Sequence, residues 1–161
     1  MNSHKTAIFR KTLPTPVQWL LSQGMIRGHV LDYGCGKCAK VNQTMLWWKS
    51  PKIKSVTSYD PHYEPLALAN SPRRVWDTVL CTYVLCTLPE TQELDVLLEV
   101  QKRLAENGVG YITVRADKPR SGYGVSSKGT FQRNVELPFL KLIKETSRYR
   151  IYLLTRETNL V

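Results

Sequence analysis

A short apolar run in this chain ends in an acid and two glycines: Val30-Leu31-Asp32-Tyr33-Gly34-Cys35-Gly36. Cys38 and Ala39 complete a G-x-G-x-x-A pattern. Glycine lets the backbone turn sharply and lets a ligand approach the main chain where a Cβ would block it. At the end of a parallel strand such a loop opens a crevice for a nucleotide-like ligand. This stretch restricts the chain to folds in which strands and helices alternate.

The flanking segments follow that alternation. Thr15-Pro16 predicts a helix start, with threonine as cap and proline at the first position, and Gly24 ends the helix. The first strand is expected over 29–33, a helix over 37–48, and a second strand over 52–59. In the helix Val41, Met45 and Trp48 recur at helical spacing, and the pair Trp47-Trp48 reads as packing. A strand over 75–83, a helix over 91–106 closed by Asn107-Gly108, and a strand over 109–115 come next. After a Gly/Ser/Lys-rich loop at 116–129, a short strand over 131–135, a helix over 136–146 and a last strand over 149–155 are expected. The fold class is α/β: a compact Rossmann-like open sheet, mostly parallel, of about five or six strands with helices on both faces. The 161 residues read as one domain, with residues 1–13 as a basic N-terminal arm.

Composition is that of a globular chain, 42% hydrophobic and 22% charged, without an apolar run of membrane-spanning length or a signal-peptide core. A soluble, cytoplasmic protein is expected. Lys and Arg number 23 against 13 Asp and Glu, a net charge of +10, which favours a polyanionic or acidic partner such as nucleic acid. The cysteines, at 35, 38, 81 and 86, read as reduced residues rather than a metal site, because one pair sits in the glycine loop and the other in an apolar segment.

Two carboxylates carry the ligand reading. Asp60 ends the second strand, 24 residues after Gly36, near the spacing expected of an acid that accepts hydrogen bonds from both ribose hydroxyls. Asp32 lies two residues before Gly34, where a dinucleotide would place its pyrophosphate. A fixed negative charge there repels phosphate and suits a cation. S-adenosylmethionine carries a sulfonium and an ammonium and no phosphate, so it is the cofactor expected.

On these residues the chain resembles the class I S-adenosylmethionine-dependent methyltransferases. Leu31-Asp32-Tyr33-Gly34-Cys35-Gly36 resembles their first motif and Tyr59-Asp60-Pro61 their second. Asp77-Thr78-Val79-Leu80-Cys81-Thr82-Tyr83-Val84-Leu85, with Leu88-Pro89 after it, resembles the strand that follows. Arg103-Leu104-Ala105-Glu106-Asn107-Gly108-Val109-Gly110 resembles the segment before their fifth strand. Lys5-Thr6-Ala7-Ile8-Phe9-Arg10-Lys11 and Asp60-Pro61-His62-Tyr63 also resemble a small bacterial and phage group labelled methyltransferases associated with DNA phosphorothioation.

The resemblance implies roles. Gly34, Cys35 and Gly36 would line the methionine moiety with Asp32 and Tyr33 beside them, and Asp60 would hold the ribose. Pro61 and His62 would flank the sugar or adenine, and Cys81, Thr82 and Tyr83 would form the floor under the sulfonium. The chain departs from the family between residues 61 and 74, where 14 residues with three prolines leave no room for the usual helix and third strand. Methyl transfer is an in-line displacement that needs mainly alignment, with a base only where the nucleophile must lose a proton. His62 and Tyr83 are the candidates for that base. Lys5, Arg10 and Lys11 in the arm, Arg115 at the end of the strand over 109–115, and Lys118, Arg120, Lys128 and Arg133 beyond it are candidate substrate contacts. Two other readings stay open: a non-catalytic binding or scaffold module that keeps the cofactor fold, and a nicotinamide enzyme.

Overall fold

The computed structural model describes residues 11–117, 124–125 and 131–161. In chain order these form α1 (Thr15–Ser22), β1 (Gly28–Tyr33), α2 (Ala39–Lys49), β2 (Ile53–Tyr59), α3 (Ala67–Asn70), β3 (Trp76–Thr82), α4 (Glu93–Lys102) and β4 (Leu104–Arg115), followed by β5 (Gly124–Val125), β6 (Phe131–Gln132), β7 (Lys141–Glu145) and β8 (Tyr149–Leu154). Six strands make one sheet in the order β2-β1-β3-β4-β8-β7, and β5 and β6 pair separately.

Side chains alternate across the sheet and build two apolar layers. Leu31, Val79, Cys81, Ile112 and Val114 point to one layer, which Leu97 and Val100 of α4 close. Val30, Leu80, Tyr111 and Ile151 point to the other, closed by Val17 and Leu20 of α1 and Leu46 of α2. Leu97 is fully buried, and each such leucine contributes roughly 1.5–3 kcal/mol of burial free energy.

The order of the strands places the functional cleft. From β1 the chain passes through α2 to β2 on one side, then crosses to β3 on the other, and both pairings are parallel. The direction of winding therefore reverses at the C-terminal end of β1, where the connecting loops diverge and a crevice opens.

The sheet is mixed rather than mostly parallel. Three pairings are parallel, β1–β2, β1–β3 and β3–β4, whereas β4–β8 and β7–β8 are antiparallel. The helix expected over 136–146 is absent. Residues 141–145 instead form the edge strand β7, because the ladder with β8 overrides a short helical periodicity and Thr146 closes a tight turn, its Oγ1 accepting from the amides of Arg148 and Tyr149 at 3.1 and 3.0 Å. The helix expected over 91–106 stops at Lys102, and β4 starts at Leu104 with an irregular register that Asn107, at φ 61°, helps to form. The strand expected over 131–135 is only the two residues of β6. Thr15 is the first residue of α1 and provides no side-chain cap. Between Asp60 and Trp76 there is the single turn α3 and no strand, so β2 stays at the edge of the sheet.

Helix α2 is rotated from its expected face. Ala39, Asn42 and Leu46 are buried, while Trp47 and Trp48 are 54% and 82% exposed. The apolar spacing of Val41, Met45 and Trp48 concealed a buried face that includes a polar residue. Among the described residues no helix is long and apolar enough to cross a membrane.

Candidate active site

A cleft of about 800 Å³ lies at the C-terminal end of β1. Asp32, Tyr33, Gly34, Cys35 and Gly36 line it, together with Asp60, Pro61 and His62 after β2 and Thr82 and Tyr83 at the end of β3. Gly34 has φ +83°, and a Cβ there would collide with Cγ2 of Val84. Both the turn and the close approach of the loop after β3 therefore require glycine at this position.

The amides of the glycine loop are already engaged. Gly34 and Cys35 donate to the Tyr59 carbonyl at 2.7 and 2.9 Å. Gly36 donates to Oδ2 of Asp60 at 3.0 Å. Oδ1 of Asp60 accepts from the amides of His62 and Tyr63 at 2.8 and 3.1 Å. A carboxylate has about four acceptor sites, so these three bonds leave room for about one ribose hydroxyl rather than two.

Asp32 is 6% exposed and accepts from Nδ2 of Asn42 at 2.8 Å. That bond fixes the amide, because the reverse orientation would set oxygen against carboxylate. Oδ1 of Asn42 is buried at the cleft without a hydrogen-bond partner. The local field is negative: burial, and then the carboxylates of Asp32, Asp60 and Glu64, push the Cys35 thiol far above its ordinary range. Burial likewise raises the Tyr33 phenol, whose ring packs on Tyr59 with centroids 5.1 Å apart.

The rest of the cleft lining draws on distant parts of the chain. Leu13, Pro14, Thr15 and Val17 come from the start of α1, Val84, Thr87 and Leu88 from the region between β3 and α4, and Val96 from α4 itself. Arg115, Asp117, Gln132, Arg148 and Tyr149 complete it. Arg115 forms a two-pronged pair with Asp117, Nε to Oδ1 at 2.9 Å and an Nη to Oδ2 at 2.7 Å, and also donates to Oε1 of Gln132 at 2.8 Å.

Neither a protein-family profile nor a characterised protein sequence matches the chain. Solved structures do match in fold. The structure of DhpI in complex with SAH aligns over 86% of both chains at 17% identity and a TM-score of 0.51. The 1,6-didemethyltoxoflavin-N1-methyltransferase of Burkholderia thailandensis, solved with its namesake compound and S-adenosylhomocysteine, covers 86% of this chain and 76% of its own at 15% identity, TM-score 0.59. A SAM-dependent methyltransferase of Leishmania major covers 84% of this chain and 68% of its own at 11% identity, TM-score 0.54. The fold is that of the S-adenosylmethionine-dependent methyltransferases.

Within this methyltransferase fold, ten of the eleven expected cofactor residues line one cleft. Cys81 does not: it is 0% exposed and packs in the layer beneath α4, because strand alternation turns it away from its neighbours Leu80 and Thr82. His62 stands exposed on the turn after β2, edge-on to Tyr63 with centroids 4.6 Å apart. Tyr83 is half-buried with φ 59°, an uncommon conformation for a tyrosine, and its amide donates to the Thr113 carbonyl at 2.9 Å.

Among the expected substrate contacts, Arg115 lines the cleft and Lys11, though exposed, does not. Arg133 faces the interior and does not line the cleft. It is 6% exposed, bonded to Oε2 of Glu93 and to the Leu88 carbonyl, both at 2.6 Å, and fastens the chain after β6 to the start of α4. Lys5, Arg10, Lys118, Arg120 and Lys128 lie outside the described residues. The four cysteines are buried, and none is in a disulfide. Neither Asn42 nor Arg148 stood out in the sequence. A polar residue at the spacing of Ala39 and Leu46 was the signal for Asn42, whereas Arg148 reaches the cleft only through the antiparallel hairpin of β7 and β8.

Proposed function

We propose that this chain is an S-adenosylmethionine-dependent methyltransferase acting on an anionic acceptor, with nucleic acid as the acceptor class. The observation that carries the reading is the state of the glycine loop. A pyrophosphate is held at such a loop by free backbone amides. Here the amides of Gly34, Cys35 and Gly36 are bonded to β2 and Asp60, and carboxylates surround them. That arrangement disfavours a nicotinamide dinucleotide and suits a cationic ligand.

When bound, the cofactor supplies a methyl group whose carbon–sulfur electron pair returns to sulfur as the acceptor's lone pair bonds the carbon. The protein's own residues hold and orient. Asp32 attracts the positive charge, and Oδ1 of Asn42 offers a buried acceptor to the ammonium. Asp60 accepts from the ribose while tying the loop to β2, and Pro61 and His62 flank the sugar and base. Thr82 and Tyr83 border the sulfonium, with Cys81 behind them as packing. Tyr83 and His62 are the groups available to take a proton from the acceptor. Arg115 is neutralised by its two-pronged pair with Asp117, so the exposed Arg148 gives this part of the cleft its positive charge. Lys5, Arg10, Lys11, Lys118, Arg120 and Lys128 contribute to the chain's net charge of +10.

The test is transfer of a radiolabelled methyl group from S-adenosylmethionine to fractionated cell extract, with nuclease-treated and protease-treated controls. Label that disappears with nuclease supports the reading. Label that survives nuclease and disappears with protease overturns the acceptor class. Cofactor binding with no transfer to any fraction points to a cofactor-binding scaffold instead.

A further inference from the structure

Between Tyr33 and Tyr59 the chain carries five lysines, Lys37, Lys40, Lys49, Lys52 and Lys54, and no acid. All five are exposed, and none pairs with a carboxylate among the described residues. On α2 the exposed positions are Lys40, Thr44, Trp47, Trp48 and Lys49, of which the first four recur at i, i+4, i+7 and i+8 and so form one stripe. The stripe starts beside Lys37, next to Gly36 in the cleft, and runs the length of α2, about 16 Å at 1.5 Å per residue. At its far end two indoles stand 54% and 82% exposed, followed by Lys49 and Lys52.

Exposed tryptophan is costly unless it has a partner, and two side by side within an acid-free cluster of lysines define that partner's chemistry. The lysines call for a chain of negative charges, and the indoles call for flat rings that can stack. Single-stranded nucleic acid has both, with phosphates along a basic track and unpaired bases on aromatic faces. A duplex hides its base faces and offers the indoles nothing to stack on. A membrane surface would need a broader apolar face than two indoles separated from the cleft by Lys40 and Thr44.

We infer that the outer face of α2 and the turn into β2 dock single-stranded nucleic acid, with Trp47 and Trp48 as a stacking platform and Lys40, Lys49 and Lys52 on its phosphates. The track leads to the cleft at Lys37, so a strand bound there would enter the site from the side of the glycine loop. This inference does not need the methyltransferase reading, because strand binding is measured without cofactor.

The experiment uses the full chain and a fluorescently labelled 15-mer of oligothymidylate, followed by anisotropy across a salt series, with the matching duplex and with phosphatidylserine/phosphatidylcholine vesicles as separate arms. The single strand should bind more tightly than the duplex and quench the indole emission. Trp47→Ala with Trp48→Ala should weaken binding at least tenfold while leaving the thermal midpoint unchanged, because both side chains are exposed. Lys40→Glu with Lys49→Glu should weaken it as well and flatten the salt dependence, by about 0.7 in log–log slope for each phosphate that is no longer neutralised. Unchanged affinity in both double variants overturns the proposal. So does a wild-type chain that binds the duplex as tightly as the single strand, or one that binds the vesicles and not the oligonucleotide.

Discussion

Oδ2 of Asp60 accepts the amide proton of Gly36 at 3.0 Å, joining the end of β2 to the loop after β1 across 24 residues of chain. The side chain at the expected ribose position is therefore also the clamp of the glycine loop. With the His62 and Tyr63 amides on its other oxygen, this carboxylate fixes two of the loops that line the cleft.

Asp60→Ala should accordingly do two things at once. It removes the acceptor proposed for the ribose, and it leaves three backbone amides to find water. Loss of cofactor affinity by well over tenfold is expected, together with a stability loss of about 1–3 kcal/mol. Asp60→Asn keeps one acceptor oxygen and should fall between. Calorimetry and urea denaturation on the same preparations check both effects, and a variant that loses stability but keeps full affinity would remove Asp60 from the ligand site.

Gly34→Ala tests the loop from the other side. A Cβ meets Val84, and the backbone at φ +83° resists any side chain. Val84→Ala would clear the collision but not the backbone strain. The double variant should thus regain only part of the stability and cofactor affinity lost in Gly34→Ala. Full recovery in thermal melts and titrations would show that φ at this residue is not constrained.

The Arg133–Glu93 pair should matter for stability rather than for charge recognition. Both side chains are largely buried, at 8% and 14% exposure, and their bond is 2.6 Å long. Arg133→Met strands the Glu93 carboxylate and should cost about 3–5 kcal/mol, whereas Arg133→Met with Glu93→Leu should recover much of it. Urea denaturation of the two variants decides the point.

How much of this was legible in the chain follows from where the causes lie. The glycine loop, Asp32 and Asp60 were readable because backbone conformation and charge are local properties of a few adjacent residues. Strands β1 and β3 were readable from apolar runs, and β2 from the β-branched Ile53, Val56 and Thr57 between Pro51 and Pro61. The stretch 141–145 was not, because its state depends on β8, its partner across a turn. The buried face of α2 was misplaced because Asn42 is polar, and its burial is explained only by Asp32 on another element. The inward turn of Arg133 depends in the same way on Glu93, 40 residues away.

Alkaline pH should destabilise the protein through its buried thiols. Burial pushes Cys86 from about 9 up to about 11, and Cys35 and Cys81 are raised as well. A thiol raised in the folded state keeps its proton there after the unfolded chain has lost it. Its stabilising contribution is thus complete below pH 9 and is lost as pH rises through 11. For Cys86 the loss is on the order of 2–3 kcal/mol. Thermal midpoints between pH 8 and 11 should fall for the wild type, and less steeply for Cys86→Ala.

The central claim is that the cleft beside β1 takes a cationic or phosphate-free adenosine cofactor and not a dinucleotide. Isothermal titration of the full chain with S-adenosylhomocysteine and, separately, with NADH tests it directly. The account predicts one saturable site for S-adenosylhomocysteine that Asp60→Ala weakens by well over tenfold, and no heat of binding for NADH. Saturable binding of NADH, with none for S-adenosylhomocysteine, would contradict it.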